Sequence, residues 1–334
     1  MTIKDLAAIT GYSVGTISRV LNNQAHVSEQ AREIILKAAN DFGFRLNENA
    51  KQLKQQQRNA ILVMCNGRAN ELFESLLVII QSKIAKTNHP LVVDYVDESE
   101  NAVKRAVQLC EEKKPMGVIF LGGNREEFLE DFHQIRVPCV LVTGQAENLP
   151  FENLSSVTTD DTQAAKMAVE HLVSWGHRNI AVVGGDRNNS DITMKRYLGC
   201  LEAFERGNIA FEEDRDYASA RYTFEDAYRA TVDLFQRNPD FTALFAMSDV
   251  MATGAIRALK DLGKRVPEDV SVLGIDGLSL GAYTIPRLST ISQNVEALAS
   301  KSVELLMDQF ADGSQAAHCL IPVTLTVRES VKKI

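Results

Sequence analysis

The sequence has few cysteines, and no two of them are closely spaced. Five cysteines occur among 334 residues, at positions 65, 110, 139, 200 and 319. No CxxC pair is present, so the usual spacing for a zinc or redox centre is missing. Four of the five lie in or beside apolar segments, which is typical of small core residues in a reduced protein. We therefore expect neither a metal nor a cofactor.

A long hydrophobic run is also missing. No stretch of about 18 apolar residues could cross a bilayer. The opening residues, MTIKDLAAITGY, lack the uninterrupted apolar stretch of a secretion signal. With 45% hydrophobic residues in a chain of this length, two or three folding units are expected. The sequence therefore predicts a globular, cytoplasmic protein.

The motifs of common enzymes are incomplete or out of place. The glycine pairs in LGGN and VGGD complete neither GxGxxG nor a P-loop, and no HExxH is present. Gly-x-Ser-x-Gly, which can place a nucleophilic serine on a strand-to-helix turn, occurs at residues 11–15 and 277–281. Ser13 has no strand before it, and Pro286 would interrupt the helix required after Ser279. We predict no enzymatic activity, with an α/β hydrolase as the lesser alternative.

Charge is distributed unevenly along the chain. The net charge is -8, yet residues 1–58 hold eight Lys and Arg against five Asp and Glu, a net of +3. The remainder therefore carries -11. A basic head on an acidic body is typical of a phosphate-binding module joined to a separate domain, although a solvated helical surface has the same composition.

The first residues predict three short helices. Thr2 and Asp5 form a capping box, and the first helix should end at Gly11. Ser13 is suited to cap the second helix and Ser28 the third, because a serine oxygen accepts a free amide at a helix start. This arrangement is a helix-turn-helix with a supporting helix. The apolar residues expected to face inward are Ile17, Val20, Leu21, Ile34, Ile35, Ala38 and Ala39.

The body after residue 58 reads as α/β. Apolar strand-like runs alternate with segments of helical periodicity such as residues 161–175 and 294–310. This alternation is typical of parallel sheets with helices on both faces, and seven runs suit two sheets better than one. The seam is expected at residues 147–156, and ligands of such folds bind at the carboxyl ends of strands. The runs are AILVMC, PLVVDYV, MGVIFLGG, PCVLVTG, NIAVVGG, FTALFAM and VSVLGID.

The segment TIKDLAAITGYSVGTISRVLNNQAHVSEQAREIILKAANDFGFRLNENAKQL resembles the DNA-binding head of the lactose/galactose repressor family of bacterial transcription regulators. DTQAAKMAVEHLVSWGHRNIAVVGG, SDVMATGAIRAL, RVPEDVSVLGIDG and PRLSTISQ match later family segments in the same order. The resemblance implies an all-α helix-turn-helix head and a hinge helix, followed by a two-lobed, periplasmic-binding-protein-like core of parallel sheets. The predicted divisions are a head at 1–46, a hinge at 47–58, a first lobe at 59–156 with 288–316, and a second lobe at 157–287 with 317–334.

The resemblance places the second helix in the major groove of DNA. Arg19 is its one long donor, able to bond guanine or phosphate, whereas Val14 offers only a methyl contact and Gly15 no side chain. The segment 47–58, otherwise a flexible linker, is implied to fold on DNA, pair with a second copy and insert Leu53 into the minor groove. The predicted DNA-binding residues are Thr2, Ser13, Val14, Gly15, Thr16, Ser18, Arg19, Asn22, His26, Asn47, Ala50, Lys51 and Leu53.

The resemblance also implies a ligand pocket between the lobes. Its chemistry suits a sugar or sugar phosphate, because charged groups bind vicinal hydroxyls and an aromatic ring packs on the apolar face of a pyranose. A purine is the alternative ligand. Asp249 could instead cap a helix, and Arg196 could instead form only an ion pair. The predicted ligand-binding residues are Phe73, Asp160, Arg196, Tyr222, Ser248, Asp249 and Asp276.

These expectations combine into a ligand-responsive transcriptional regulator, most simply a repressor. Two small heads joined through the body would bind a pseudo-palindromic operator as a homodimer. The expected partners are operator DNA, a small-molecule effector and a second copy, with no membrane. A sugar-binding protein without a DNA role, cytoplasmic or exported, is the alternative, but such a protein would have no use for the helical head.

Overall fold

The computed structural model describes residues 3–21, 27–42, 59–67, 70–97 and 100–334. The chain forms two compact units, Met1–Gln56 and Gln57–Ile334, here called the head and the core. Seven of the predicted DNA contacts lie outside the described residues: Thr2, Asn22, His26, Asn47, Ala50, Lys51 and Leu53.

The described part of the head contains helices α1 (Ile3–Thr10), α2 (Val14–Leu21) and α3 (Glu29–Asp41). Gly11 ends α1 with a φ of +71°, a conformation that favours glycine. The Ser13 hydroxyl accepts a hydrogen bond from the Thr16 amide at 3.2 Å. Ser28 caps α3 in the same way, through the Ala31 amide at 3.3 Å. Both predicted caps are confirmed.

The three helices pack around a small apolar cluster formed by Leu6, Ile17, Val20, Ile35 and Ala39. The prediction that Ile34 faces inward is wrong, because its side chain is 42% exposed. The buried residues of α3 recur at every fourth position and form a narrow stripe along the helix. The next residue in sequence lies about 100° around the helix and therefore outside this stripe.

The core contains two six-stranded sheets among the described residues. Every strand pair is parallel except β10 with β12. The first sheet has the order β2-β1-β3-β4-β5-β11, with β1 Ile61–Asn66, β2 Leu91–Val96, β3 Gly117–Leu121, β4 Cys139–Val142, β5 Leu154–Thr158 and β11 His318–Leu320. The second has the order β7-β6-β8-β9-β10-β12, with β6 Ile180–Gly184, β7 Tyr217–Ser219, β8 Ala243–Ala246, β9 Ser271–Asp276, β10 Ser289–Ser292 and β12 Thr324–Thr326.

Helices cover the sheets and complete the two lobes. None of the helices among the described residues is long and apolar enough to span a bilayer. The first lobe carries α4 Glu71–Ile84, α5 Ala102–Lys113, α6 Arg125–Asp131 and α12 Val295–Asp312. The second lobe carries α7 Asp161–Ser174, α8 Asp191–Arg206, α9 Glu213–Asp216, α10 Phe224–Arg237 and α11 Asp249–Asp261.

The chain passes between the lobes three times, after β5, after β10 and after β11. The predicted division differs from this at both late passages. Residues 289–292 pair with β9 of the second sheet, whereas the predicted division places them in the first lobe. Residues 318–320 pair with β5 of the first sheet, whereas the predicted division places them in the second. Short strands of this kind belong to the sheet that satisfies their backbone groups, which residue type alone does not reveal.

All seven predicted strand-like runs form strands, namely β1 to β4, β6, β8 and β9. Apart from the edge strand β2, which is partly exposed, these strands are buried on both faces, so their sequences are continuously apolar. The five strands without a prediction are short or rich in serine and threonine, for example LSSVT in β5 and STIS in β10. A strand rich in serine and threonine has no apolar run by which to recognise it, even where it lies inside a sheet as β5 and β10 do.

Candidate functional site

A cavity of about 810 Å³ lies between the lobes, where carboxyl ends of strands from both sheets meet. β1 ends at Asn66, β7 at Ser219 and β9 at Asp276, and all three residues line the cavity. Parallel strands direct the loops that follow them to one edge, which is why ligands of such folds bind there. The position predicted from the sequence is therefore the position of the cavity.

Arg196 on α8 forms the charged centre of the cavity. Its Nε donates a hydrogen bond to Oδ1 of Asp161 at 2.8 Å, and its Nη1 donates to the carbonyl of Met247. Its Nη2 lies 3.9 Å from Oδ1 of Asp276. Burial alone would lower the pKa of Arg196, but the two carboxylates raise it, so the guanidinium is charged. A buried cation paired in this way is held rigidly.

Asp276 lies at the end of β9 in a strained backbone conformation, with a φ of +123°. Its Oδ1 accepts a hydrogen bond from Nε2 of Gln293 at 2.8 Å. Burial raises the pKa of Asp276 to about 6, against the opposing effect of Arg196. Strained residues with shifted pKa values concentrate at functional sites, and Asp276 combines both features.

Aromatic rings from the two lobes line the cavity. Tyr222 of the second lobe shares a hydrogen bond of 2.9 Å with the hydroxyl of Thr193. Phe73 of the first lobe packs over Gly122, where an added Cβ would lie only 2.7 Å from the Phe73 ring. A side chain at Gly122 would therefore displace the ring from its place in the wall.

Two buried polar atoms of the cavity wall have no hydrogen-bond partner within the described part of the chain, namely Oδ1 of Asn66 and Oγ1 of Thr143. Thr143 also has a positive φ of +66°. Buried polar atoms almost always find partners. Unsatisfied ones in a cavity wall are available to a polar ligand.

Five of the seven predicted ligand residues line the cavity: Phe73, Arg196, Tyr222, Ser248 and Asp276. Asp160 and Asp249 do not. The Asp160 carboxylate caps α7 by accepting the Gln163 amide at 2.9 Å. In place of Asp160, its neighbour Asp161 reaches the cavity and bonds Arg196.

Asp249 is fully buried behind the wall. Its carboxylate accepts hydrogen bonds from the Leu278 amide at 2.7 Å and from the Thr290 hydroxyl at 2.6 Å. Burial, followed by the charge of Asp276, raises the pKa of Asp249 to about 8. Asp249 therefore ties α11 to the segment that follows β9 and to β10 itself, instead of presenting oxygens to the cavity.

The structure adds wall residues that the sequence reasoning missed. A usable signal existed for Asn66 and Thr143, because each ends or follows a predicted strand. Asp161 was not predicted because its neighbour Asp160 was chosen in its place, and Gln293 lies in a segment without a predicted strand. The wall residues that were not predicted include Asn66, Thr143, Asp161, Thr193 and Gln293.

In the head, the exposed face of α2 carries the predicted DNA contacts that the structure describes. Val14 is 41% exposed, and Arg19 is exposed and has no ion pair or hydrogen bond among the described residues. Ile17 and Val20 face the opposite way, into the head. A side chain at Gly15 would lie 3.7 Å from the Arg19 guanidinium. The remaining described contacts are Ser13, Thr16 and Ser18.

The hydrolase alternative has no supporting geometry. Ser279 begins a short 3-10 turn, Ser279–Ala282, in place of an α-helix. The ring of His318 is hydrogen-bonded through Nδ1 to Ser156 at 2.9 Å, on the edge of the first sheet. His318, a histidine downstream of Ser279 in the sequence, therefore lies on the first sheet, whereas Ser279 follows β9 of the second.

A helix-turn-helix head followed by a two-lobed core with a cleft defines the class of ligand-binding DNA regulators. Residues 2–47 match the family model described as bacterial regulatory proteins, lacI family. Residues 169–331 match the periplasmic binding protein-like domain. The chain is 32% identical over 333 residues to the HTH-type transcriptional regulator MalR of Clostridium butyricum, which covers 99% of both proteins. It belongs to the lacI family of bacterial regulatory proteins, and it is a DNA-binding transcriptional regulator.

Two further similarities agree with this assignment. The ribose operon repressor of Halalkalibacterium halodurans is 29% identical over 334 residues, covering 99% of this chain and 97% of that protein. Among solved structures, the lac repressor dimer bound to operator and the anti-inducer ONPF superposes with a TM-score of 0.74 at 26% identity. That superposition covers 99% of both chains.

Proposed function

We propose that this regulator is a repressor that binds a pseudo-palindromic operator as a homodimer, and that a sugar in the cleft controls its affinity for DNA. The observation that carries the proposal is the Arg196 cluster. A guanidinium held by Asp161 and Asp276 sits at the strand ends, inside a cavity of about 810 Å³. The role is regulatory and not catalytic.

The chemistry of the wall supports a sugar as the ligand. Carboxylates accept hydrogen bonds from vicinal hydroxyls, and charge-assisted bonds of this kind are the stronger ones. The rings of Phe73 and Tyr222 supply apolar surface for the carbon face of a pyranose. The named specificity of the Halalkalibacterium relative, a ribose operon, is consistent with the same class of ligand.

Linkage explains how such a ligand would control DNA binding. Asn66 and Phe73 come from the first lobe, whereas Arg196 and Asp276 come from the second. A ligand that contacts both lobes favours one arrangement of the lobes over another. If the hinge helices pair in only one of these arrangements, the ligand changes the affinity for operator DNA. By linkage, DNA changes the affinity for the ligand by the same free energy.

Exposed apolar side chains support dimer formation by the core. Tyr283 is 85% exposed and Ile285 is 93% exposed, on the loop between β9 and β10. Large apolar groups exposed together are typical of protein interfaces. A second copy of the chain is the partner that a regulator with a two-fold symmetric operator requires.

The decisive experiment titrates operator DNA with the full-length protein in the presence and absence of sugars. Asp276→Asn should remove the response to the sugar and leave operator affinity unchanged, since it acts only in the cleft. A variant that still responds at unchanged sugar concentration would refute this pocket.

Arg19→Ala tests the DNA side of the proposal. It should reduce the preference for operator over random DNA by about 1 to 3 kcal/mol, the value of a bidentate base contact. Val14→Ala is the matched control on the same exposed face and should cost less. Equal loss of affinity for operator and random DNA would assign Arg19 to phosphate instead.

A further inference from the structure

We propose that the effector is an uncharged sugar of at least two rings, whose outer ring lies along α10. The inference rests on the proposed function, since it concerns the ligand of the same cleft. Two observations carry it: the cavity extends well beyond the Arg196 cluster, and the positive charges of its described wall are already matched by carboxylates.

The extension follows one face of α10. Asp226, Arg229, Ala230 and Asp233 line the cavity, and their spacing of three, four and seven places them on a single helix face. Seven residues of helix span about 10 Å, at about 1.5 Å per residue. This wall is longer than one pyranose ring, so a monosaccharide at Arg196 would leave the α10 face uncovered.

The charges of the wall disfavour an anionic ligand. Three arginines line the described part of the cavity, and each lies near a carboxylate. Arg196 pairs with Asp161 at 2.8 Å, Arg221 lies 3.8 Å from Asp97, and Arg229 lies 3.5 Å from Asp226.

Further carboxylates line the same wall, those of Asp186, Asp233 and Asp276. No lysine lines it among the described residues. A phosphate entering this cavity would therefore meet more negative than positive charge.

The helices that begin at the cleft also disfavour an anionic ligand. They include α4, α7, α8 and α11, and free amides at such ends are a common phosphate site. One further helix, α6, follows Asn124 of the wall without a side-chain cap, but its first turn carries Glu126 and Glu127. At the other four, each start is capped by a side chain that accepts an amide, and each first turn carries an acidic residue that counters the helix dipole. The pairs of cap and acidic residue are Asn70 with Glu71, Asp160 with Asp161, Ser190 with Asp191, and Ser248 with Asp249.

Neutral hydroxyls suit both parts of the cavity. Near Arg196 they can donate to Asp276 and accept from buried donors, while Oδ1 of Asn66 and Oγ1 of Thr143 provide unused acceptors. Along α10, the carboxylates of Asp226 and Asp233 are partly exposed, with side-chain exposures of 31% and 62%. Each also pairs with an arginine of the same helix, Asp226 with Arg229 at 3.5 Å and Asp233 with Arg237 at 2.9 Å. Because a carboxylate has further lone pairs, each can still accept hydroxyls of an outer ring that remains in contact with water.

Calorimetry on the full-length protein tests this with a fixed panel of probes. The panel contains maltose, cellobiose, lactose and melibiose, their component monosaccharides glucose and galactose, and glucose 6-phosphate and trehalose 6-phosphate. At least one disaccharide should bind with a Kd about tenfold or more below that of its monosaccharides, the equivalent of one charge-assisted hydrogen bond. The sugar phosphates should bind more weakly than that disaccharide.

Three outcomes overturn the inference, and they can be told apart. If a monosaccharide binds as tightly as every disaccharide, the inference of an outer ring is contradicted, whereas the proposed control of DNA binding by a sugar still stands. If a sugar phosphate binds most tightly, the inference that the ligand is uncharged is contradicted. If no sugar of the panel binds or alters operator affinity, the proposed sugar control fails together with the inference.

A variant pair localises the outer ring. Asp226→Ala combined with Asp233→Ala should weaken disaccharide binding about tenfold and leave monosaccharide binding unchanged. Asp276→Asn should weaken both. Asp240→Ala, an exposed carboxylate close to α10 that does not line the cavity, is the control and should weaken neither. Equal weakening of both ligands by the double variant, or no weakening of either, would contradict the assignment to α10.

Discussion

The two lobes contribute unlike surfaces to the same cavity. Among the described residues, those of the first lobe that line the cavity are uncharged, and they include Asn66, Phe73 and Thr143. The described carboxylates and guanidiniums of the wall come from the second lobe and its connections, with Arg196 at their centre. From this difference we expect the second lobe to fix the orientation of a polar ligand and the first lobe to cover it.

The charged half is organised before a ligand arrives. Arg196 and Asp161 are each about 6% exposed in their side chains and already bonded to one another. The cost of removing these charges from water is therefore met during folding and not during binding. A ligand gains affinity from groups that need no reordering, so the second lobe should provide the first point of contact.

The largest expected effect comes from breaking the charged half. Arg196→Met keeps a long apolar stem but leaves Asp161 and Asp276 buried without their cation. Loss of one partner of a buried pair costs about 3 to 5 kcal/mol, so the free energy of unfolding in urea should fall by that amount. Sugar binding should be lost as well.

Arg206→Met on the same helix is the matched control. Arg206 pairs with Glu170 at 2.8 Å but is 68% exposed, and exposed pairs contribute about 0 to 1 kcal/mol. Similar losses of stability in the two variants would show that the buried pairs of Arg196 contribute no more than an exposed pair. The contrast drawn between the charged wall of the second lobe and the uncharged wall of the first would then be wrong.

The next effect concerns the uncharged half. Phe73→Leu shortens the ring that faces the ligand, and it should weaken sugar binding about tenfold with about 1 kcal/mol loss of stability. Phe128→Leu is the control, because Phe128 is fully buried in the first lobe and does not line the cavity. It should lower stability without changing the Kd. If the two variants weaken sugar binding equally, Phe73 acts only through the stability of its lobe.

The apolar core made the fold predictable from the sequence. Strands such as β3 and β8 are continuous apolar runs because they are buried on both faces, and serines at 13 and 28 indicate helix starts through their chemistry. The late passages between lobes were not predictable in detail. Ser289–Ser292 and His318–Leu320 are short and partly polar, and only the partner strand determines the sheet to which each belongs.

The site was predictable in type and partly in its residues. The family resemblance indicated both Asp276 and Arg196, and both follow strand-rich segments. Asp160 and Asp161 show the limit, since one helical step separates a cap that faces solvent from a carboxylate that faces Arg196. Asp249 shows another limit, because its function depends on Leu278 and Thr290, which are distant in sequence.

A smaller effect should appear in the pH dependence of stability. Burial raises the pKa of Asp249 to about 8, so the folded protein retains a proton that the unfolded chain releases at about pH 4. The free energy of unfolding should therefore fall as pH rises from about 4 to 8.

Asp249→Asn cannot titrate, so its stability should fall less between pH 6 and 8, by about 2 kcal/mol relative to the parent protein. Urea unfolding at several pH values measures this difference. Asp240→Asn, at an exposed position, should keep the parent slope. An unchanged slope in Asp249→Asn would mean that Asp249 is ionised throughout this range.

The smallest effect tests whether the first lobe closes onto the second. Nζ of Lys195, on α8, donates a hydrogen bond to Oε1 of Gln145 in the first lobe at 2.6 Å. Lys195→Met removes this bond across the cleft. Because a partly exposed bond contributes about 0.5 to 1 kcal/mol, sugar affinity should fall only about twofold to fivefold. Gln145→Met should have the same effect, and the double variant should be no weaker than either single one, since both remove one shared contact. Additive losses in calorimetry would show that the two side chains act separately, and the contact would then have no part in closing the cleft.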